Sequence, residues 1–332
     1  MSEGTQGRKH SEDALLDQLL TTLDVRIKVF ALCEVGPGWR LSFGSNENPS
    51  LHYVLSGSGM IGVPDLSPIP LSRDTFVIIP RGFPHYFEGP GGVRREMHHD
   101  PGSNARGSGL PIIQAVDERC ADEEENSLLV VCGTVHASFG GALGLFERLR
   151  YPIAENFQNN PLGERFRDFL EELKAPSLGT RALTEAFLKQ AVVLVLRRQM
   201  REGGGSITWL NAFRDPSLAP VISAMLERPG NPFTLEDLAS SVGVSRSVFA
   251  QRFSAAFGQP PMEFLKYVRL HRVAHLLEVT GLPVKAVAKS VGYESRSYFS
   301  RAFRAAHGVD PTDYRARQHI RAISIAGSTA DA

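Results

Sequence analysis

The chain has 332 residues, with 36 Lys and Arg balanced by 36 Asp and Glu, and 42% of its residues are hydrophobic. That length predicts about two domains, each large enough for its own core, in a soluble globular protein. Three cysteines, Cys33, Cys120 and Cys132, are odd in number and widely spaced; the pattern argues against a disulfide framework and fits reduced thiols, either buried bystanders or redox sensors.

The opening MSEGTQGRKHSEDALL has no apolar core of a signal segment, and nowhere do about 18 apolar residues run together, so a cytoplasmic chain without membrane contact is expected. Residues 11–24 carry Leu15, Leu16, Leu19, Leu20 and Leu23 at the spacing of a short amphipathic helix. From Val25 to about Cys132 the pattern becomes short apolar runs (RIKVFALCEV, LHYVLSGSGMIGV, DTFVIIP, SLLVVCG) broken by Gly, Pro, Asn and Asp. Such punctuation predicts an antiparallel barrel or sandwich.

Within this region Pro80-Arg81-Gly82-Phe83-Pro84-His85 resembles the second sequence box of the cupin barrel, and His52 on the strand LHYVL resembles the first histidine of the first box. The resemblance implies a small barrel with a ligand pocket at its mouth, where His52 and His85 are the candidate effector-binding residues. The chain departs from a metal-binding cupin at two places: Val54 stands at the second histidine position, and Ser58 or Gly59 at the glutamate. A catalytic metal wants at least three protein ligands, and His52 and His85 supply two. His98, His99, Asp100 and His136 remain as other candidates without a placement. No metal, cofactor or catalytic residue is therefore expected.

After Gly133 the periodicity turns helical. Three helices are expected: one in LGLFERLRYPIAENF up to Pro152, one in PLGERFRDFLEELK with Phe166, Phe169, Leu170 and Leu173 on one face, and one from Arg181 to Met200. Gly203-Gly204-Gly205-Ser206 reads as a flexible linker. The charge is uneven across it: residues 215–321 hold 14 Lys and Arg against 9 Asp and Glu, and residues 1–214 hold 22 against 26. A local cationic surplus on a neutral chain fits a nucleic-acid-binding module tethered to another domain.

The strongest signal is a repeat. SRSVFAQRFSAAFGQPP (245–261) and SRSYFSRAFRAAHGVDP (295–311) keep register at a shift of 50 residues, pairing Ser245 with Ser295, Phe249 with Phe299, Phe253 with Phe303, Gly258 with Gly308 and Pro261 with Pro311. Each copy follows a short apolar-periodic segment and a glycine, Gly243 or Gly292, suited to a tight turn. Each then offers Ser as N-cap of a second helix and Gly as its stop. Two short helices about a turn, the second with a polar outer face, make a helix-turn-helix. The segment Pro261 to Val279 is expected to join the two units as one rigid helix, holding the recognition helices about 34 Å apart, one DNA turn.

The second copy is similar to the signature of the AraC/XylS transcription regulators at Ala288, Gly292, Tyr293, Ser295, Tyr298, Phe299, Ser300, Arg301, Phe303, Gly308, Pro311, Tyr314 and Arg315. The fold expected is α+β in two domains: a cupin-like effector-sensing and dimerisation barrel with its helices at 1–202, a linker at 203–214, an all-helical DNA-binding domain of two helix-turn-helix units at 215–316, and a tail at 317–332. Resemblance implies a sequence-specific, effector-responsive activator with no enzymatic activity. Its partners would be double-stranded promoter or operator DNA, a second copy of itself, RNA polymerase and an unknown small-molecule effector. Base contacts are expected from Arg246, Ser247, Ala250 and Gln251 in the first unit and from Arg296, Ser297, Ser300 and Arg301 in the second. Family members often carry Ser-Arg where this chain has Ala250-Gln251. A metal-dependent cupin enzyme fused to a DNA-binding domain is the rival reading.

Overall fold

The computed structural model describes residues 17, 20–99, 111–117, 126–158, 164–166, 177–201 and 207–318. By its contacts the chain divides into two compact units. One comprises residues 25–137 and 146–196; the other comprises residues up to 24, 138–145 and 197–331.

The strands are β1 (Leu23–Val35), β2 (Trp39–Phe43), β3 (Ser50–Ser56), β4 (Ser58–Gly62), β5 (Ile69–Ser72), β6 (Thr75–Ile79), β7 (His85–Glu88), β8 (Arg95–His99), β9 (Ile112–Ala115), β10 (Leu128–Phe139), β11 (Leu143–Gly144) and β12 (Ile153–Asn156). They make up the first unit except for the first two residues of β1, the last two of β10 and all of β11, which belong to the second. One sheet runs β12-β6-β3-β10-β1-β9, with β11 paired to β10; the other runs β5-β4-β7-β2-β8. β3 lies between β6 and β10, with His52 opposite Val77 and Cys132. Both neighbours bury it, and its burial pattern is nearly continuous rather than alternating. The inner faces close on Cys33, Val35, Leu41, Val54, Ile61, Val77, Ile79, Phe87, Leu128 and Val130. This agrees with the barrel read from the strand punctuation.

Helix α1 (Thr180–Arg201) realises the third expected helix, and buries Leu188, Ala191, Val192, Val195 and Leu196. Phe166 stacks on Tyr53 at 4.0 Å and meets Phe187 of α1 at 4.9 Å, which ties the helical layer to the sheet. One expectation is corrected. The helix expected up to Pro152 is absent: residues 143–144 form β11, and 153–156 form β12, paired to β6 through Ile153 and Ile78. Of the expected N-terminal helix, Asp17, Leu20 and Thr21 are helical, β1 begins at Leu23, and most of the rest lies outside the described residues. Most of the second expected helix, the 203–206 linker, Cys120 and the tail beyond 318 also lie outside them.

The second unit is helical: a 3₁₀ segment (Thr208–Arg214), then α2 (Ala219–Glu227), α3 (Leu235–Ser241), α4 (Arg246–Phe257), α5 (Pro261–Val279), α6 (Val284–Ser290) and α7 (Arg296–His307). The 3₁₀ segment begins inside the expected linker, yet Trp209, Leu210 and Phe213 are buried. Phe139, from the end of β10, sits edge-on to Trp209 at 6.3 Å and to Phe213 at 6.4 Å. The turn after it reaches α5: Arg272 donates to the carbonyl of Gly140, and Gly141, at φ +65°, has no room for a Cβ, which would stand 2.4 Å from the His275 ring.

Candidate nucleic-acid interface

The two helix-turn-helix units are assembled by the same local devices. In the first, Thr234 caps α3 by accepting from the Asp237 N–H at 3.1 Å, and its own hydroxyl donates to the Asp237 carboxylate at 2.5 Å. Gly243 turns the chain at φ +69°, Ser245 accepts from the Val248 N–H at 3.4 Å, and Gly258 ends α4 in the left-handed region. In the second, Gly292 turns at φ +87°, Ser295 accepts from the Tyr298 N–H at 3.3 Å, and Gly308 ends α7. Residues 311–318 restart as a helix behind Asp310, the accepting carbonyl for the Tyr314 N–H.

Gly292 has a second reason to be glycine. A Cβ there would lie 2.9 Å from the Gly230 carbonyl and 3.2 Å from Arg269. Arg269, on α5, donates to the carbonyls of Pro229 at 2.7 Å and Asn231 at 2.8 Å, pinning that loop beside the turn. Burial lowers the Arg269 guanidinium below its ordinary range.

Each second helix buries aromatic anchors and leaves its opposite face out. Phe249, Phe253 and Phe257 of α4 pack with Phe264 of α5. Phe299, Ala302 and Phe303 of α7 pack with Val273 and Leu277 of α5 and Val287 of α6. Facing outward are Arg246, Ser247, Val248 and Gln251 on α4, and Arg296, Ser297, Tyr298 and Arg301 on α7; Ala250 and Ser300 are half-buried at the margin. The expected contact residues therefore share one exposed face per helix, and the arrangement suits insertion into a major groove. Sequence reasoning missed Val248 and Tyr298, which stand at equivalent places in the repeat and are 38% and 52% exposed. Their spacing of three residues from Gln251 and from Arg301 was the available signal.

In the barrel the structure brings His52 and His85 together, ring centroids 4.8 Å apart. Phe43 stacks on His85 at 5.2 Å, Phe87 stands edge-on to His52 at 5.0 Å, and His99 lies 5.5 Å from Phe43. Burial drives the His52 imidazole well below its ordinary pKa, with His85 adding to the effect, and takes His85 down to about 4 against a small opposing pull from the Phe83 carbonyl. Both rings are neutral at pH 7. Both nitrogens of His52, and Nε2 of His85, have no hydrogen-bond partner among the described residues. Three imidazole nitrogens in an apolar box are a costly arrangement, and a ligand offering complementary polar atoms would relieve it.

A cupin metal does not fit this donor set. Val54 is fully buried in the apolar core, Ser58 is exposed, and any Cβ on Gly59 would stand 2.3 Å from the Glu88 carbonyl, so no carboxylate can enter there. No three His, Cys, Asp or Glu residues come together to hold an ion among the described residues. Cys33 and Cys132 are buried thiols beside each other, and burial raises the Cys132 pKa well above its ordinary value, against thiolate chemistry.

Comparison with known proteins agrees with both units. A helix-turn-helix domain family matches residues 238–317, and a cupin family matches residues 14–201. The RCS-specific HTH-type transcriptional activator RclR of Escherichia coli is 27% identical over 291 residues, covering 86% of this chain and 91% of its own. A putative AraC-like transcription regulator of Streptomyces lividans is 26% identical over 306 residues, covering 90% and 97%. Among solved structures, the C-terminal domain of AraT from Geobacillus stearothermophilus is 30% identical over 31% of this chain and 86% of that one, with a TM-score of 0.30.

Proposed function

Because the chain belongs to the AraC-type transcription regulators that carry a cupin domain ahead of two helix-turn-helix units, we propose that it binds promoter DNA through α4 and α7, in successive major grooves, and activates transcription there. The observation that carries the reading is the doubled unit: two identically capped helices, each with one exposed polar face, joined by the continuous helix α5. In this reading α5 sets the recognition helices about 34 Å apart, one turn of DNA. Similarity to an activator in Escherichia coli supports activation over repression.

The barrel serves as the sensor. A small uncharged molecule with hydrogen-bonding groups would satisfy the orphaned nitrogens of His52 and His85, and by binding one conformation better would shift the DNA-binding population. A homodimer acting with RNA polymerase in the cytoplasm completes the proposal; Leu178 and Leu183, exposed around the start of α1, offer apolar area for pairing. The test is a DNase footprint of the full-length chain on DNA upstream of its own gene across salt concentrations. A protected patch spanning two successive major grooves per protomer is expected. Diffuse coating that vanishes with salt on every DNA tried would overturn sequence-specific regulation.

A further inference from the structure

The two helix-turn-helix units share a backbone plan and differ in charge. The helices α6 and α7 carry Lys285, Lys289, Arg296, Arg301 and Arg304, all exposed, and no carboxylate. Of these, Arg304 is paired with Asp310 at 3.1 Å. The corresponding helices α3 and α4 carry Glu236 and Asp237 against Arg246 and Arg252. Both arginines are engaged within the protein: Arg246 lies 3.7 Å from Glu236, and Arg252 donates to the Ser217 hydroxyl at 3.1 Å. At the centre of the first outer face stand an exposed aliphatic side chain, Val248, and an uncharged amide, Gln251; the second places Tyr298 and Arg301 at the same positions.

The first face thus offers a phosphate fewer cations than the second, with Arg246 beside a carboxylate in an exposed pair. It has apolar surface for a thymine methyl group and a side-chain amide that matches the N6 and N7 edge of adenine. The second face has the cations that displace counterions from the DNA backbone and a guanidinium that matches guanine O6 and N7.

We propose that the two units divide recognition: Val248 and Gln251 make the first the reader of an A·T step, while Lys285, Lys289 and Arg296 make the second the phosphate anchor, with Arg301 reading guanine. This rests on the DNA-binding function proposed above.

The test starts with selection of duplexes from a random pool by the full-length chain. The best site is then titrated at several salt concentrations with Val248→Ser/Gln251→Ala and with Lys285→Ala/Lys289→Ala. The substituted side chains are exposed, and unchanged melting would verify the folds. The first variant is expected to lose roughly tenfold or more of its preference at one A·T step, with the salt dependence intact. The second is expected to weaken on every duplex and to flatten the slope of log affinity against log salt by about 0.9 for each phosphate it no longer neutralises. Equal salt-slope changes in the two variants, or weakening on all duplexes from the first, would overturn the division while leaving DNA recognition standing. A pool in which nothing is enriched would remove DNA recognition itself, and the division with it.

Discussion

The barrel and the helical unit handle polar groups in opposite ways. Around α4, α5 and α7 the buried positions are rings and aliphatic chains, Phe249, Phe253, Phe264, Phe299, Phe303, Val273 and Leu277, while the DNA-facing candidates lie outside. Scaffold and interface are separate sets of residues there. In the barrel the candidate site is inside the scaffold: His52 and His85 occupy core positions among Phe43, Phe87 and Val54. A surface interface can be changed with little effect on stability, whereas the stability of a buried polar site depends on whether its polar atoms are satisfied, removed or charged.

The largest effect expected from that difference is on the helical scaffold. Phe303→Ala removes a fully buried ring from the second unit and should cost about 3–5 kcal/mol in thermal or denaturant unfolding. A loss under about 1 kcal/mol would mean that α7 is not anchored through this face.

The barrel should answer to acid instead. As pH falls from the ordinary histidine range near 6.5, the unfolded chain takes up a proton that the folded His85 refuses until about pH 4. Stability should therefore drop by about 3 kcal/mol across that window and be flat above it, with His52 contributing in the same direction. In the His52→Leu/His85→Leu variant the drop in this window should largely disappear while the protein still folds, since an apolar pair leaves no orphaned nitrogen. An unchanged acid profile in that variant would assign the loss to other groups.

A substitution on the exposed face should spare stability and act on recognition. Arg301→Ala is expected to cost about 1–3 kcal/mol at a guanine-containing step, read as relaxed preference there in competition binding, with melting unchanged. A uniform loss over all sequences would make Arg301 a phosphate contact.

The smallest effect is expected at a cap. Thr234→Ala removes the acceptor of the Asp237 N–H and should lower stability by about 1 kcal/mol; no change would mean that water replaces the hydroxyl without loss.

The same contrast explains what could be read from the chain. The helical unit was legible because its rules are local. Ser245 and Ser295, Gly258 and Gly308, and the Phe pairs at a spacing of four residues announce cap, stop and buried face within one short segment. The barrel strands were legible as short apolar runs, but their partners are distant in sequence. Leu143, Phe146 and Leu149 fit helical spacing and are buried, yet β12 follows as a strand because β6, more than seventy residues earlier, offers Thr75–Ile79 as an edge. The pairing of His52 with His85 also depends on two strands from different sheets, β3 and β7. Val248 escaped notice for a chemical reason: an aliphatic side chain in a repeat full of core residues reads as core until its exposure is seen.

The packing of Phe139 bears on how the protein can be dissected. Chain order suggests cutting in the 203–206 stretch to release a self-sufficient C-terminal fragment. Yet Phe139, buried against Trp209 and Phe213, is contributed from upstream of any such cut, and Trp209 in turn lies 6.3 Å from Phe257 at the end of α4. A fragment beginning near residue 207 would carry two large rings stripped of their cover, prone to self-association. Its behaviour on DNA would then report stickiness as much as recognition.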